Sequence, residues 1–418
     1  MRNNSIISCS IGNILEWYDF GLFTIFSPLF SQLFFPHADP TAALLTTFSV
    51  FAIGFFSRPI GALLFGYLGD TKGRSRTLRL SVLMTAFPTL LIGCLPTYKT
   101  MGILAPISLV IIRIWQGISI GGEFSGNIIY LGESSPSCHR SFYTSLAASG
   151  ANIGFFLAML VGIISNSLFN ETTLHNWGWR MPYLISGVLC LIIYITRLKL
   201  AETTVFHEMQ KNNSIVKNPI KFVLKNNQHD LLRTLGLICM GSTFYYFIFS
   251  YIPIFLNENL CFSLTKTTRI ESFFIAAMIL FVPLAGLLND KIGRYRMLLF
   301  NAIFISAITV PSYYLLHQNN IIIIALLLFV LTIASSLEQG TTPAVLVENF
   351  PPSARYTGIS LAYNIGNGFL GGSVPLICVW LVNKTHFLLA PAFYIALCAM
   401  ITLLFALKLT LVKSGHKT

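Results

Sequence analysis

Long runs of apolar residues alternate along the chain with short stretches rich in glycine, proline and charge. The runs fall near 6–34, 43–68, 77–97, 103–132, 141–168 and 181–199, then near 231–256, 268–288, 297–316, 321–347, 356–383 and 388–412. About 20 apolar residues of helix cross a bilayer core, so each run predicts one tilted transmembrane helix. Between the sixth and seventh runs, residues 200–230 (AETTVFHEMQKNNSIVKNPIKFVLKNNQHD) are polar and predict a linker with room for a short amphipathic helix. The pattern predicts an all-α membrane protein of twelve transmembrane helices in two six-helix bundles, residues 1–199 and 231–418, joined by a cytoplasmic linker over 200–230.

An internal repeat supports the division. GYLGDTKGRSR at 66–76 recurs as GLLNDKIGRYR at 286–296, each time after the second run of its half. With an even number of helices per half, both termini and these loops share one side. Placing that side in the cytoplasm puts about 20 of the 27 Lys and Arg there, a positive-inside bias that predicts cytoplasmic termini. On this count Arg58 and Arg113 alone remain within the membrane. In each repeated loop the glycines allow a tight reversal, and Asp70 or Asp290 can meet the dipole-positive start of a neighbouring helix. Arg74, Arg76, Arg294 and Arg296 supply cations.

Composition changes the picture little. Hydrophobic residues make up 54% of the 418, charged residues 10%, and mean hydropathy is +0.71, which excludes a water-soluble domain. The net charge of +12 would suggest nucleic acid on a soluble protein, but here it sits in loops between apolar runs. Arg2 and the apolar stretch after it are interrupted by Glu16 and Asp19, with no small-residue cleavage site, so the first span is expected to be retained. The eight cysteines show no metal spacing and read as small apolar fillers. The histidines, from His37 to His416, fall in or beside loops, so proton chemistry within the membrane would fall to carboxylates. No cofactor or metal is expected. The absence of a nucleophile and base constellation argues against an enzyme.

Charge inside the membrane is the informative feature. Each such residue costs about 2.5 to 3.5 kcal/mol at a helix centre, so it is expected to face an interior rather than lipid. In NILEWYDFGLF (13–23), Glu16 and Asp19 lie at i and i+3 on one helix face. On the fourth span Arg113, Gln116, Ile120 and Glu123 share a face, and on the second Arg58 stands about 18 Å of helix before Asp70. A permanent ion-pair brace is one reading of this set. The other, favoured because a static brace could be apolar at lower cost, is a set of groups whose partners change. In the second half Glu338 is the central charge. Tyr245, in the aromatic run FYYFIFSY (244–251), and Asn364 are further cavity candidates, with ordinary packing the alternative. Gly117, Gly121, Gly122 and Gly126 form small-xxx-small patterns that permit close helix crossings, as do Gly150 and Gly154.

The two repeated loops resemble the signature loop G-x-L-x-D-x-x-G-R of the major facilitator superfamily. Together with NILEWYDFG (13–21), FSRPIGALLFG (56–66), RIWQGISIGGEFSG (113–126), WGWRMPY (177–183) and ENFPPSARYTGISLAYN (348–364), they make the chain resemble the metabolite/proton symporter family across nearly its whole length. The resemblance implies the twelve-helix facilitator fold in the bacterial inner membrane. It implies proton-driven symport of a small carboxylate-bearing metabolite by alternating access, with a proline- or betaine-like zwitterion ahead of a dicarboxylate or tricarboxylate such as 2-oxoglutarate or citrate. A non-transporting membrane sensor is the rival of another class. Proton coupling is assigned to Asp19, Glu16, Arg113 and Glu123, since the superfamily's sugar symporters pair a first-span carboxylate with a fourth-span arginine. Substrate contact is assigned to Arg58, Arg113, Trp17, Gln116, Tyr245, Glu338 and Asn364, and gating to Asp70, Arg74, Asp290, Arg294, Glu133, Glu348 and Arg355. The expected partners are substrate, proton and the lipid bilayer, and the chain is read as a monomer.

Departures from the family pattern carry expectations too. Pro352, Ser353 and Ala354 leave Arg355 as the one arginine of a segment that usually holds two, which is expected to loosen the latch of the second half around Asp290. LAETT stands where the family has L-x-E-T-P. The chain's stop at Thr418 implies no long C-terminal extension of the kind that senses osmolality. Phe155 after Gly154, where many antiporters have proline, favours symport over exchange.

Overall fold

The computed structural model describes residues 3–35 and 40–415; Arg2, His37, His416 and Thr418 lie outside the described residues. The described residues form helices and no strand. The first span is a pair, α1 (Asn3–Ile25) and α2 (Ser27–Phe34), broken at Phe26, with Pro28 in the first turn of α2, where its missing N–H costs nothing. Then follow α3 (Pro40–Lys72), α4 (Arg74–Cys94), α5 (Leu104–Ser134), α6 (Arg140–Leu168) and α7 (Arg180–Arg197). Among the described residues eleven helical stretches are long and apolar enough to cross a membrane, and the α1–α2 pair, bearing Glu16 and Asp19, completes the twelve. The expected runs match these helices to within a few residues.

The linker is more structured than its polarity suggested. It contains α8 (Thr204–Lys211) and α9 (Pro219–Asn226). Thr203 caps α8 by accepting from the Phe206 amide at 3.2 Å, and Phe206 and Met209 are buried. The second half runs through α10 (Gln228–Tyr246), α11 (Ile252–Glu258), α12 (Leu264–Ile292), α13 (Arg294–Leu316), α14 (Ile321–Asn349), α15 (Arg355–Ile365), α16 (Val374–Thr385) and α17 (Ala390–Gly415). Two spans of the second half pass through a π-helical turn, at Phe247–Tyr251 and Gly366–Gly371, where an extra residue per turn turns the side chains off the α-helical register.

The chain divides into two compact units. The first takes the residues up to Ser134, Gly150–Ile220 and Pro352–Ser360; the second takes Ser135–Ser149, Lys221–Pro351 and the residues from Leu361 on. The boundary at 220 falls inside the expected linker. The two short segments that join the opposite half were not anticipated, and the reason is hydrogen bonding at helix starts, described below.

In the first unit an aromatic cluster of Phe23, Phe30, Phe34, Trp179 and Tyr183 fills one end of the helix packing. The crossing of α3 and α5 sets the geometry of the interior. A Cβ on Gly117 would lie 2.0 Å from the Gly54 carbonyl oxygen, and one on Gly121 would lie 2.3 Å from that of Arg58. Backbone therefore meets backbone, which brings Arg58 of α3 and Arg113 of α5 to the same interior. Gly121→Val is expected to destabilise the protein by about 1–3 kcal/mol or more through overpacking, read as a lowered thermal midpoint in detergent.

Candidate functional site

The first unit encloses a cluster of charged side chains. Glu16, Asp19, Arg58, Arg113, Gln116 and Glu123 are each at most 2% exposed, as their helical spacing predicted. Gln116 stands between Asp19 and Arg113: its amide nitrogen donates to Asp19 Oδ2, and its oxygen accepts from Arg113 Nη1 at 2.8 Å. The same nitrogen reaches Thr89 Oγ1 at 3.4 Å. The first helix also supplies rings. Arg113 Cζ lies 4.0 Å from the centre of Phe23 and 5.4 Å from that of Phe20, while Arg58 Cζ lies 4.1 Å from Phe55, 4.9 Å from Phe20 and 5.6 Å from Trp17. Both guanidiniums thus sit over aromatic faces, which attract a cation.

Glu123 has a different environment. Arg197 holds it with two bonds, at 2.6 and 3.0 Å, and Ser81 and Asn127 also donate to it. Arg197 further donates to the carbonyls of Leu78 and Cys9, at 2.7 and 3.2 Å. Arg197, which the sequence did not mark as an interior cation, is completely buried. Its position inside the apolar run 181–199 was the available signal. Glu16, by contrast, has no hydrogen-bond partner on either carboxylate oxygen among the described residues, although Glu123, Arg58, Arg197 and Asp19 lie within electrostatic reach.

At the loop end of the first unit, Asp70 accepts from the amides of Tyr356 and Thr357, at 3.1 and 2.9 Å, and so caps the start of α15. Arg74 pairs with Asp70 at 3.5 Å and Glu133 at 3.3 Å, and donates to the Pro352 carbonyl at 2.6 Å. Arg355 also pairs with Glu133, at 2.8 Å. Glu202, which was not singled out, accepts from the amides of Arg74 and Ser75 at 3.0 and 3.2 Å and caps α4. It is the glutamate of LAETT, so the motif itself was the signal.

The second unit repeats the device. Asp290 accepts from the amides of Ser141 and Phe142, both at 2.9 Å, at the start of α6, and pairs with Arg294 at 3.5 Å. Arg294 and Arg140 both meet Glu348, the latter at 2.7 Å. The expected weakening around Asp290 is therefore misplaced: Pro352, Ser353, Ala354 and Arg355 belong with Asp70. The two clusters do differ in burial. Asp70 and Arg74 are fully buried, whereas the side chains of Arg294, Glu348 and Arg140 are 14%, 17% and 24% exposed.

The remaining candidates of the second unit sit on separate helices. Tyr245 packs against Tyr246 and Phe249, Glu338 lies against Gly241, and Asn364 is buried near the end of α15. Glu271 on α12, which the sequence reading passed over, lines a small cavity with Phe249 and Phe274.

The chain as a whole is similar to known proteins. A model of the Major Facilitator Superfamily matches residues 9–375. The chain belongs to that superfamily. It is 31% identical over 409 residues to the proline/betaine transporter of Salmonella typhimurium (strain LT2), covering 96% of this chain and 82% of the relative. It is 36% identical over 419 residues to the inner membrane metabolite transport protein YhjE of Escherichia coli (strain K12), covering 98% and 94%. The glycine betaine/proline/ectoine/pipecolic acid transporter OusA of Dickeya dadantii matches at 31% over 409 residues, covering 96% and 81%. In fold, the chain is similar to the proton:xylose symporter XylE bound to 6-bromo-6-deoxy-D-glucose, with a TM-score of 0.78 at 16% identity, covering 97% of this chain and 94% of that one. It is a multi-pass integral membrane protein and a secondary transporter of small molecules.

Two outcomes follow from the buried charges. Arg197→Met leaves Glu123 buried and uncompensated and is expected to cost about 3–5 kcal/mol, with most of it recovered in the Glu123→Leu/Arg197→Met double variant; thermal unfolding in detergent measures both. Asp70→Asn is expected to lower initial uptake by reconstituted vesicles more than Asp290→Asn does, because its cluster excludes water. Equal or reversed effects would remove the role given to burial.

Proposed function

We propose that the protein couples proton entry to uptake of a zwitterionic metabolite by alternating access, with the Asp19–Gln116–Arg113 chain as the coupling element. The observation that carries this is the position of Gln116, whose amide uses one end for each partner. With Asp19 ionised, the Gln116 N–H₂ donates to it and the amide oxygen orients Arg113. A proton on Asp19 leaves a neutral carbonyl where a charged acceptor stood, so the hold on the amide weakens and Arg113 can turn to an incoming carboxylate. Proton and substrate binding are then linked, as symport requires.

Arg58, whose guanidinium lies over Phe55 and Phe20, is the second carboxylate receptor. Glu16, whose oxygens accept no hydrogen bond among the described residues, is suited to a substrate ammonium. The relatives' names, proline, betaine, ectoine and pipecolic acid, all denote compounds that join a carboxylate to a cationic nitrogen, which favours a zwitterion over a dicarboxylate. Glu123 leaves the coupling set in this reading, because Arg197, Ser81 and Asn127 saturate it. The repeated loops and the positive-inside bias support cytoplasmic termini in an inner membrane, with Asp70 and Asp290 as the latches of the cycle.

Purified protein in vesicles tests the coupling. Asp19→Asn is expected to exchange labelled for unlabelled proline or betaine at a rate near the parent's while losing accumulation under an imposed proton gradient. Gln116→Leu is expected to retain exchange with accumulation reduced by about tenfold or more, the loss of one charge-assisted hydrogen bond of at least ~1.4 kcal/mol. Uphill uptake by Asp19→Asn equal to the parent's would overturn the assignment.

A further inference from the structure

A groove of about 580 Å³ opens on the first unit where α3 ends, α4 begins and α7 ends. Lys72, Arg76 and Arg79 line it together with Leu80, Leu83, Tyr194 and Leu198, and no carboxylate is among its lining residues. The nearby acids are committed elsewhere: Asp70 and Glu133 to Arg74, and Glu202 to the amides of Arg74 and Ser75. Arg79 is steadied by the carbonyls of Ser75 and Leu198, at 3.3 and 3.5 Å, neither of which neutralises it.

The arrangement along α4 is directional. Arg76, Arg79, Leu80 and Leu83 lie at i, i+3, i+4 and i+7, one face of the helix, with the cations in its first two turns and leucine beyond. Leu80 and Leu198 are 36% and 50% exposed, so the apolar wall opens outward from a transmembrane helix pair. A cationic rim that continues into an exposed apolar wall at a helix end matches a phosphate headgroup followed by an acyl chain. A soluble anion would leave the wall unused, and a neutral lipid would leave three like charges crowded together.

We propose that this groove binds an anionic phospholipid, its phosphate held by Lys72, Arg76 and Arg79 and its chain lying along Leu80, Leu83 and Leu198. The headgroup would bridge the two sides of the Gly73 reversal, whose φ of 110° is a conformation reserved for glycine. It would thereby brace the turn that presents Asp70 and Arg74. The proposal concerns binding and stands apart from the coupling scheme.

The test uses the full chain in neutral detergent, with retained lipid counted by native mass spectrometry on addition of phosphatidylglycerol, phosphatidylcholine or inorganic phosphate. One phosphatidylglycerol is expected to survive activation that strips phosphatidylcholine, and millimolar inorganic phosphate is not expected to displace it. Arg76→Gln should weaken its retention about fivefold and Lys72→Gln/Arg76→Gln/Arg79→Gln roughly a hundredfold, at about 1 kcal/mol per cation. Should the triple variant fail to fold, Leu198→Glu supplies a repulsive charge at the wall and is expected to weaken retention likewise. Parent-like retention by Arg76→Gln and by whichever of these two variants folds overturns the proposal, as does equal retention of phosphatidylcholine. Displacement by inorganic phosphate also overturns it, showing an anion site without a lipid.

Discussion

A charge inside a bilayer has no water to fall back on, and this protein's interior is arranged around that constraint. Arg197 and Glu123 satisfy it completely, with two direct bonds and further donors and acceptors from Ser81, Asn127, Leu78 and Cys9. A pair this well supported resists rearrangement, because breaking it strands both partners in a low dielectric. It fixes α5 against α7 and the start of α1. Asp19 and Arg113 meet the same constraint through the Gln116 amide, and Arg113 and Arg58 also lie over aromatic faces.

The contrast gives the buried acids different capacities. Glu123 is saturated, Asp19 is held through one amide, and Glu16 accepts no hydrogen bond among the described residues. The acid that braces the fold is thus distinct from the two that are less fully bonded. Close approach of α3 and α5 at Gly117 and Gly121 makes this possible, since it brings two arginines from different helices to the carboxylates of a third.

The loop ends use carboxylates in another way. Asp70 and Asp290 each satisfy two amides at the start of a helix, groups that would otherwise stand without partners. Each such contact recruits a short segment, 352–360 or 135–149, to the unit that carries the aspartate. Hydrogen bonds of this kind are directional and few, unlike a broad apolar contact.

Hydrophobic run length and the repeated loop were enough to give the helices, their number and the family, because a membrane span must be long and apolar wherever it packs. The same rule marked Glu16, Asp19, Arg58, Arg113 and Glu123 as interior residues. It did not say which cation meets which anion. Arg197 went unremarked within an apolar run and Glu202 within LAETT, since both find their partners more than sixty positions away. Arg355 was assigned to the wrong aspartate for the same reason. Ion pairs and helix caps depend on distances of a few ångströms between remote segments, and only the folded chain sets those distances.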